Sequence, residues 1–319
     1  MADYKFKGKK IIKLLILAIG LFLIGTTAGF ITWIIWYRSC DHTDRLLAQH
    51  RNLAGIEEKL VSDSGGSREL AFKLIDQKGQ VTRGELRFPA GTKRPLPALL
   101  ILGGHGTGAR AADLINLEEP AVICAMDYPP YPERKIRFLE APHLVYALDS
   151  SAVAAVGMAQ NVLDYLFSKP EIDTSRVTVI GASFGVPFAV IAVALDHRPK
   201  GLVLLYGSAD LEKLIDWNLR QKIRCGPLRK AASLILGTLT TPFEPLSYID
   251  RISPRPLLMI NSREDEKIPL PCVDHLYHQA REPKEIIWLD SSHLHPSNRD
   301  LIDSLTRTVS SWLKKNGLL

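Results

Sequence analysis

The stretch that decides the fold is Val177-Thr-Val-Ile-Gly-Ala-Ser-Phe-Gly185, which runs directly into the apolar segment Val186–Leu195. A short apolar strand ends in the pattern Gly-x-Ser-x-Gly, centred on Ser183, and a helix follows. The glycines allow a sharp turn, so the Ser183 hydroxyl should lie at the helix N-terminus, where backbone N–H groups favour negative charge. The context predicts a nucleophilic serine, and a purely structural glycine turn is the alternative.

A carboxylate that could support such a serine follows the apolar run Leu257–Ile260. A serine hydroxyl needs a base, and the base needs a third group to orient it. Three acids stand together here: Glu264, Asp265 and Glu266. We favour Asp265, because it lies on the turn that leaves the strand, four residues before Pro269. The two glutamates would then be ordinary solvated charges.

The base is expected on the loop after the last apolar run, Ile286–Leu289. From residue 290 this loop reads Asp-Ser-Ser-His-Leu-His-Pro, so a strand delivers two histidines to one edge of the sheet. We favour His293, which comes first after the strand. His295, only two positions later, is its rival.

A glycine-rich loop, Leu102–Gly108, follows another predicted strand and reads Leu-Gly-Gly-His-Gly-Thr-Gly. Such a loop lets backbone N–H groups approach a substrate oxygen. Together with the amide of Phe184, the amide of Thr107, or that of Gly106, would complete an oxyanion hole. His105 is expected to shape the loop. A phosphate-binding loop is the competing interpretation, but the Lys-Ser/Thr pair of a P-loop is absent.

The remaining pattern predicts a mostly parallel, doubly wound α/β sheet. Alternating runs predict an antiparallel opening pair, Glu69–Ile75 and Thr82–Phe88. Continuous apolar runs predict strands buried on both faces: Ala98–Leu102, Ala121–Met126, Val177–Ile180, Leu202–Tyr206, Leu257–Ile260 and Ile286–Leu289. Amphipathic or apolar helical segments lie between several of them: Ser150–Ser168, Val186–Leu195, Pro271–Ala280 and Asp300–Lys315. The segment at about 209–250 is too long for a simple connection and predicts a helical cap inserted after the sixth strand.

The N-terminal region predicts a membrane anchor. Residues 14–37 are free of charge and long enough to span a bilayer, and they are too long for the apolar region of a cleaved signal peptide. Residues 1–13 carry five lysines and should stay cytoplasmic, which places everything beyond the helix on the periplasmic or extracellular side. Gly25 and Gly29 have the spacing that lets two such helices pair, and a homodimer is the hypothesis that follows.

The predicted domain order continues with a connecting segment at 38–68, which contains a polar helix at Asp44–Leu60, and a catalytic domain at 69–319. The net charge of +6 comes mostly from the N-terminal tail. Residues 1–13 carry five lysines and one aspartate and so supply +4, which leaves +2 for the rest of the chain. We therefore expect no nucleic-acid partner.

Four cysteines, Cys40, Cys124, Cys225 and Cys272, have no metal-binding spacing, and no metal is expected. An exported domain can form disulfides, and Cys225 with Cys272 is the pair to test. Free thiols are the equally good alternative.

The residues from about Glu69 to Leu319 resemble the α/β-hydrolase superfamily, in particular its dienelactone-hydrolase-like and prolyl-oligopeptidase-like branches. The Ser, Asp, His order along the chain is the order of that fold. The specific matches are Gly103–Gly106, Gly181–Gly185, Asp265-Glu-Lys-Ile-Pro269 and Ser292-His293. The chain departs from the pattern at Ser292 and Ser262, where these families often have glycine, and both changes replace a small residue by another small one.

The resemblance implies a serine hydrolase that uses Ser183, His293 and Asp265 in two-step acyl transfer, with no metal or organic cofactor. A carboxylic ester or thioester is the expected substrate, and the apolar cap and anchor suggest a lipid-like one. A peptidase of the prolyl-oligopeptidase type is an alternative, although only about 30 residues precede the first predicted strand after the anchor and no propeller fits there. A membrane-tethered binding module without catalysis is the other alternative.

Overall fold

A computed structural model describes residues 2–64, 66–89, 91, 94–104, 106–130 and 141–319. The chain divides into two compact units, Met1–Asp41 and His42–Leu319. The first unit is a helix, α1 (Ala2–Ser39), of which Lys13–Ser39 is long and apolar enough to cross a membrane by length and composition. A Cβ atom added at Gly25 or Gly29 would meet nothing within 4 Å.

The second unit contains a nine-stranded sheet in the order β1-β2-β3-β5-β4-β6-β7-β8-β9. Its strands are β1 (Leu53–Ser64), β2 (Ser67–Asp76), β3 (Val81–Pro89), β4 (Leu96–Leu102), β5 (Val122–Met126), β6 (Ile172–Ala182), β7 (Gly201–Leu205), β8 (Leu257–Ser262) and β9 (Lys284–Leu289). The first three strands are antiparallel to their neighbours, and all pairs from β5 across to β9 are parallel. This is the mostly parallel sheet predicted from the apolar runs, with an antiparallel opening.

All residues of the central strands β4, β5 and β7 are buried, as expected for a sheet that helices cover on both faces. In chain order the helices of this unit are α2 (Thr43–Leu47), α3 (Ala141–Ser168), α4 (Val186–Leu195), α5 (Leu211–Leu219), α6 (Gly226–Leu239), α7 (Leu270–Gln279) and α8 (Arg299–Lys315). Helix α8 illustrates the packing: Leu305, Val309 and Trp312 form one buried stripe, and the Asn298 side chain caps the helix by accepting from the Leu301 amide.

The parallel register brings the carboxyl ends of six strands to one edge of the sheet. Leu102 at the end of β4 pairs with Gly181 on β6, Ala182 pairs with Leu205 on β7, and Ser262 at the end of β8 pairs with Leu289 on β9. In open parallel sheets, ligands bind beyond this edge. The loops that follow these strands carry all the predicted site residues.

One element prediction is wrong. Asp44–Leu60 was expected to be a polar helix, but only α2 is helical there, and β1 occupies most of the rest and pairs along its length with β2. The segment forms a strand because pairing with β2 satisfies its backbone hydrogen-bonding groups. This pairing involves residues distant in sequence, so the local pattern of polar residues does not predict it. Helices α5 and α6 lie between β7 and β8, within the predicted insertion at 209–250.

Candidate active site

The turn after β6 holds Ser183 in an uncommon backbone conformation. Its φ of +50° lies in the left-handed region, which residues other than glycine rarely adopt unless the surrounding structure holds them there. The flanking glycines make room for this turn. A Cβ at Gly181 would lie 2.6 Å from the Cβ of Ala189, and a Cβ at Gly185 would collide with the carbonyl oxygen of Leu102. The spacing of the motif is therefore a steric requirement.

Ser183, His293 and Asp265 form a continuous chain of contacts. The Ser183 Oγ lies 2.8 Å from Nε2 of His293, and Nδ1 of His293 lies 2.8 Å from Oδ2 of Asp265. With its proton on Nδ1, the imidazole donates to the carboxylate and leaves Nε2 to accept from the serine hydroxyl. Nucleophile, base and orienting acid thus meet in the order that acyl transfer requires.

The carboxylate of Asp265 is buried and fixed on both sides. Its side chain is 1% exposed and that of His293 is 6% exposed, so water competes little for the contact between them. The second oxygen, Oδ1, accepts from the backbone amides of Lys267 at 2.8 Å and Ile268 at 3.1 Å. These bonds satisfy a buried anion and set its orientation toward the imidazole.

The rival His295 borders a cavity together with Ser183, but it is His293 that contacts the Ser183 hydroxyl. The ring of His295 contacts Ser297 through Nδ1 at 2.7 Å, and Glu264 is exposed. Glu266, which was expected to be an ordinary solvated charge, instead accepts from the backbone amide of His293 at 3.0 Å. That hydrogen bond is the main cause that lowers the pKa of Glu266. It fixes the histidine loop, a role that only the structure reveals.

Sequence reasoning also missed two further supports of the histidine loop. Tyr206 presents its ring edge-on to His293, with centroids 5.6 Å apart, and its hydroxyl lies 2.5 Å from the Ser291 Oγ. Ser262 binds both backbone groups of Ser291: its Oγ accepts from the amide at 2.9 Å and donates to the carbonyl. Ser262 stands out in the sequence because the resembled families often have glycine there, and this was the available signal.

The candidate oxyanion donors lie on two loops. Phe184 lies in the turn Ser183–Gly185 that leads into α4, so its amide is next to Ser183 at the N-terminal end of that helix. The Thr107 amide donates to the Gly104 carbonyl at 3.2 Å, so this amide would have to share or give up a bond to serve an oxyanion. Gly106 has a φ of +82°, and both Gly106 and Thr107 line a cavity with Ser183. His105 lies outside the described residues.

Two residues that directly follow β5, Asp127 and Tyr128, form hydrogen bonds at the glycine-rich loop after β4. The Tyr128 hydroxyl donates to the Gly103 carbonyl at 2.8 Å, and the Tyr128 ring packs edge-on to Phe184 with centroids 5.2 Å apart. The Asp127 carboxylate accepts from the Ala109 amide at 2.9 Å. Both contacts connect the end of β5 to the glycine-rich loop and so restrict its position.

Two cavities meet at Ser183 and His293. The first has a volume of about 460 Å³ and is lined by the cap helices α5 and α6 together with α3 and α4. We call it the cap cavity. Its lining is largely apolar and includes Leu211, Leu214, Ile215, Leu236, Leu239 and Phe243. The second, of about 400 Å³, lies between the sheet, the glycine-rich loop and α8, and is lined by Ile101, Ile180, Leu205, Ile302, Leu305 and Val309 among others. Lys267 borders both cavities.

Among the described residues no group of three or more His, Cys, Asp or Glu side chains is arranged to hold a metal ion. Cys225 and Cys272 are free thiols, the first exposed and the second buried. The pair considered for a disulfide is therefore not bonded in this structure.

The chain matches no family model and no curated protein, but many solved structures share its architecture. An acetyl xylan esterase from a Paenibacillus species aligns with 87% of this chain and 93% of its own, at 20% identity and a TM-score of 0.64. An acetyl xylan esterase from a Thermoanaerobacterium species gives 85% and 92%, at 17% identity and a TM-score of 0.65. A cold-adapted esterase from an Arctic intertidal metagenomic library gives 83% and 98%, at 14% identity and 0.55.

These neighbours are esterases, and identities of 20% or less establish the shared fold alone. The sheet order, the sharp turn at Ser183 and the structural similarity agree with each other. The chain has the α/β-hydrolase fold.

Proposed function

We propose that the chain is a serine hydrolase that cleaves a carboxylic ester or thioester through an acyl-enzyme. The observation that carries this proposal is the unbroken contact from Ser183 through His293 to Asp265, at 2.8 Å for each step. The strained turn at Ser183 supports it, because strain of this kind concentrates at functional sites.

In the proposed mechanism, the Ser183 Oγ attacks the carbonyl carbon while Nε2 of His293 takes the hydroxyl proton. Asp265 stabilises the imidazolium that forms, and the Phe184 amide, with an amide of Thr107 or Gly106, binds the oxyanion. The imidazolium then gives its proton to the leaving group, and the carbon–oxygen or carbon–sulfur bond breaks. Water attacks the acyl-enzyme by the reverse route and regenerates Ser183.

The cavity linings favour an apolar acyl ester. Leucine, isoleucine and phenylalanine side chains dominate the cap cavity, which offers few hydrogen-bond partners to a carbohydrate. Two of the structural neighbours are named acetyl xylan esterases, whose substrate alcohol is a sugar. The apolar lining of the cap cavity argues that this chain acts on a less polar ester than an acetylated xylan.

We also propose the membrane-tethered arrangement predicted from the sequence. Residues 14–37 would span the bilayer, residues 1–13 would remain cytoplasmic, and the domain beyond them, with its cap at about 209–250, would work on the other side. The length and apolar composition of Lys13–Ser39 support the anchor, and the lysines before it support the orientation.

The test is labelling by a fluorophosphonate probe, which reacts with activated serines. The full-length protein should be labelled, and Ser183→Ala should lose the label while keeping its melting temperature. Ser208→Ala is the matched control, because Ser208 is a buried serine that lines the same cap cavity without contacting His293, so its loss should leave labelling intact. Equal labelling of wild type and Ser183→Ala would overturn the proposal.

A further inference from the structure

Helix α6 carries an apolar stripe that runs from the protein surface into the cap cavity. Leu228 is 60% exposed, Ile235 40% and Leu236 38%. Leu236 also lines the cap cavity, and Leu239, one turn further on, lines it as well. Positions seven, eight and eleven residues after Leu228 lie on the same side of a helix, so these side chains form one path.

An exposed apolar side chain on a second helix also lines the cap cavity. Leu148 on α3 is 38% exposed and lines the same cavity as Leu236. Exposed leucines scattered singly are ordinary, but a patch that continues into a binding cavity marks an interaction surface. The apolar path therefore has the features of an interaction surface.

The segment that leads into α6 and forms it is basic. From Arg220 to Phe243 the sequence contains five basic residues and no acidic one. Among the described residues, only one of the five has a carboxylate partner in an ion pair: Arg229 contacts Asp216 at 3.0 Å. Lys222 and Lys230 are exposed, as are Arg220 and Arg224. An anionic partner is therefore electrostatically favoured.

We propose that this cap face, defined as the apolar stripe of α6 with its basic flank, docks on an anionic lipid surface and receives the ester from it. An amphipathic helix with exposed leucines and lysines binds in the lipid interface through both features at once. The occupant must satisfy the apolar groups of α6 and the cationic groups of the turn that precedes it, which an anionic bilayer does. This inference rests on the proposed hydrolase function and adds where the substrate comes from.

The first test measures contact with lipid directly in the full-length protein. Cys40→Ser and Cys225→Ser remove the accessible thiols and leave Cys124 and Cys272, which are buried. In this background Ile235→Cys is labelled with an environment-sensitive dye, and vesicles contain a lipid-borne quencher. Ser311→Cys serves as the control, because Ser311 is exposed on α8 and lines neither cavity.

We expect strong quenching at position 235 and little at position 311, in phosphatidylcholine vesicles that contain phosphatidylglycerol. Both kinds of vesicle offer the same hydrocarbon to α1, so a loss of quenching in pure phosphatidylcholine isolates the charge effect. Each basic residue near an anionic surface is worth about fivefold in partition, so Lys222→Gln with Arg224→Gln, two exposed residues in the turn before α6, should weaken docking roughly 25-fold. Equal quenching at the two positions, or no dependence on the anionic lipid, would overturn the proposal.

The second test separates docking from chemistry. Leu228→Ser with Ile235→Ser removes exposed apolar groups that do not line the cap cavity. This variant should hydrolyse a soluble short-chain nitrophenyl ester at the wild-type rate and lose at least tenfold toward a lipid-borne ester in anionic vesicles. A wild type that is inactive on both esters would refute the hydrolase function itself. Unchanged activity on vesicles in the double variant would refute the docking alone.

Discussion

Replacing Asp265 by asparagine should inactivate the enzyme while leaving its structure intact. The Oδ1 atom of Asp265 accepts from the backbone amides of Lys267 and Ile268 at 2.8 and 3.1 Å. In the Asp265→Asn variant only the carboxamide oxygen can accept these two bonds, so the NH₂ group must turn toward His293. It would donate to Nδ1 and drive the imidazole proton to Nε2, the atom that has to receive the proton of Ser183.

The magnitude follows from the wrong tautomer. In serine triads this change lowers kcat by about 10⁴, which corresponds to about 5.4 kcal/mol of lost transition-state stabilisation. The two amide bonds that hold the asparagine leave no low-cost alternative orientation, so we expect the full loss here. The assay is steady-state hydrolysis of a nitrophenyl ester, with thermal unfolding to confirm that the variant folds.

Glu266→Gln is the matched control for the Asp265→Asn variant. Glu266 is adjacent in sequence and its side chain accepts from the backbone amide of His293, a bond that a glutamine oxygen can keep. Weakening a charged acceptor to a neutral one costs about 1 kcal/mol, which is about fivefold in rate at most. The reasoning fails if folded Asp265→Asn keeps more than a tenth of wild-type kcat/KM, or if Glu266→Gln is as damaging.

Three further predictions concern packing, thiols and pH. Gly181→Ala should destabilise the fold by about 1–3 kcal/mol in urea unfolding, because its Cβ would lie 2.6 Å from a side chain of α4. Gly226→Ala, with nothing within 4 Å of its Cβ, should cost nothing and is the control. Cys225 should react with iodoacetamide near neutral pH and Cys272 should not, since burial raises the pKa of Cys272 to about 11; mass spectrometry of the alkylated native protein would detect the opposite result. Burial raises the pKa of Glu244, so the folded carboxyl holds a proton that the unfolded chain has already lost, and its contribution to stability falls as the pH rises from about 4.5 through the folded-state pKa. The free energy of unfolding of Glu244→Gln should accordingly increase relative to wild type across that interval, and a constant difference would contradict the assignment.

Much of the fold could be predicted from local pattern. Strands buried on both faces need continuous apolar runs, and the turn at Ser183 needs small residues on either side, so both features are visible in the sequence itself. The antiparallel opening pair was also predicted from local pattern, in this case the alternation of apolar and polar residues. Strand β1 was not, because its partner β2 supplies the contacts that make it a strand, and half of its own residues are polar.

For the candidate site, the sequence by itself determined which kinds of residue follow which strands. Chain order and strand ends pointed to Ser183, Asp265 and His293, because parallel strands must deliver their loops to a common edge. Their catalytic roles stay predictions until the variants are measured. The neighbours of these side chains were out of reach, since Glu266 and Tyr206 act through contacts with residues 27 and 87 positions away.

Only the tertiary structure decided the shape of the space around Ser183. The cap cavity is assembled from α3, α4, α5 and α6, and no single segment of sequence encodes its volume. The continuity between the exposed side of α6 and that cavity also depends on how the helix is set against its neighbours. Local sequence fixes what each segment can form, because backbone and side-chain preferences act over a few residues. The packing of distant segments fixes what the site can bind, because a cavity is defined by all of its walls together.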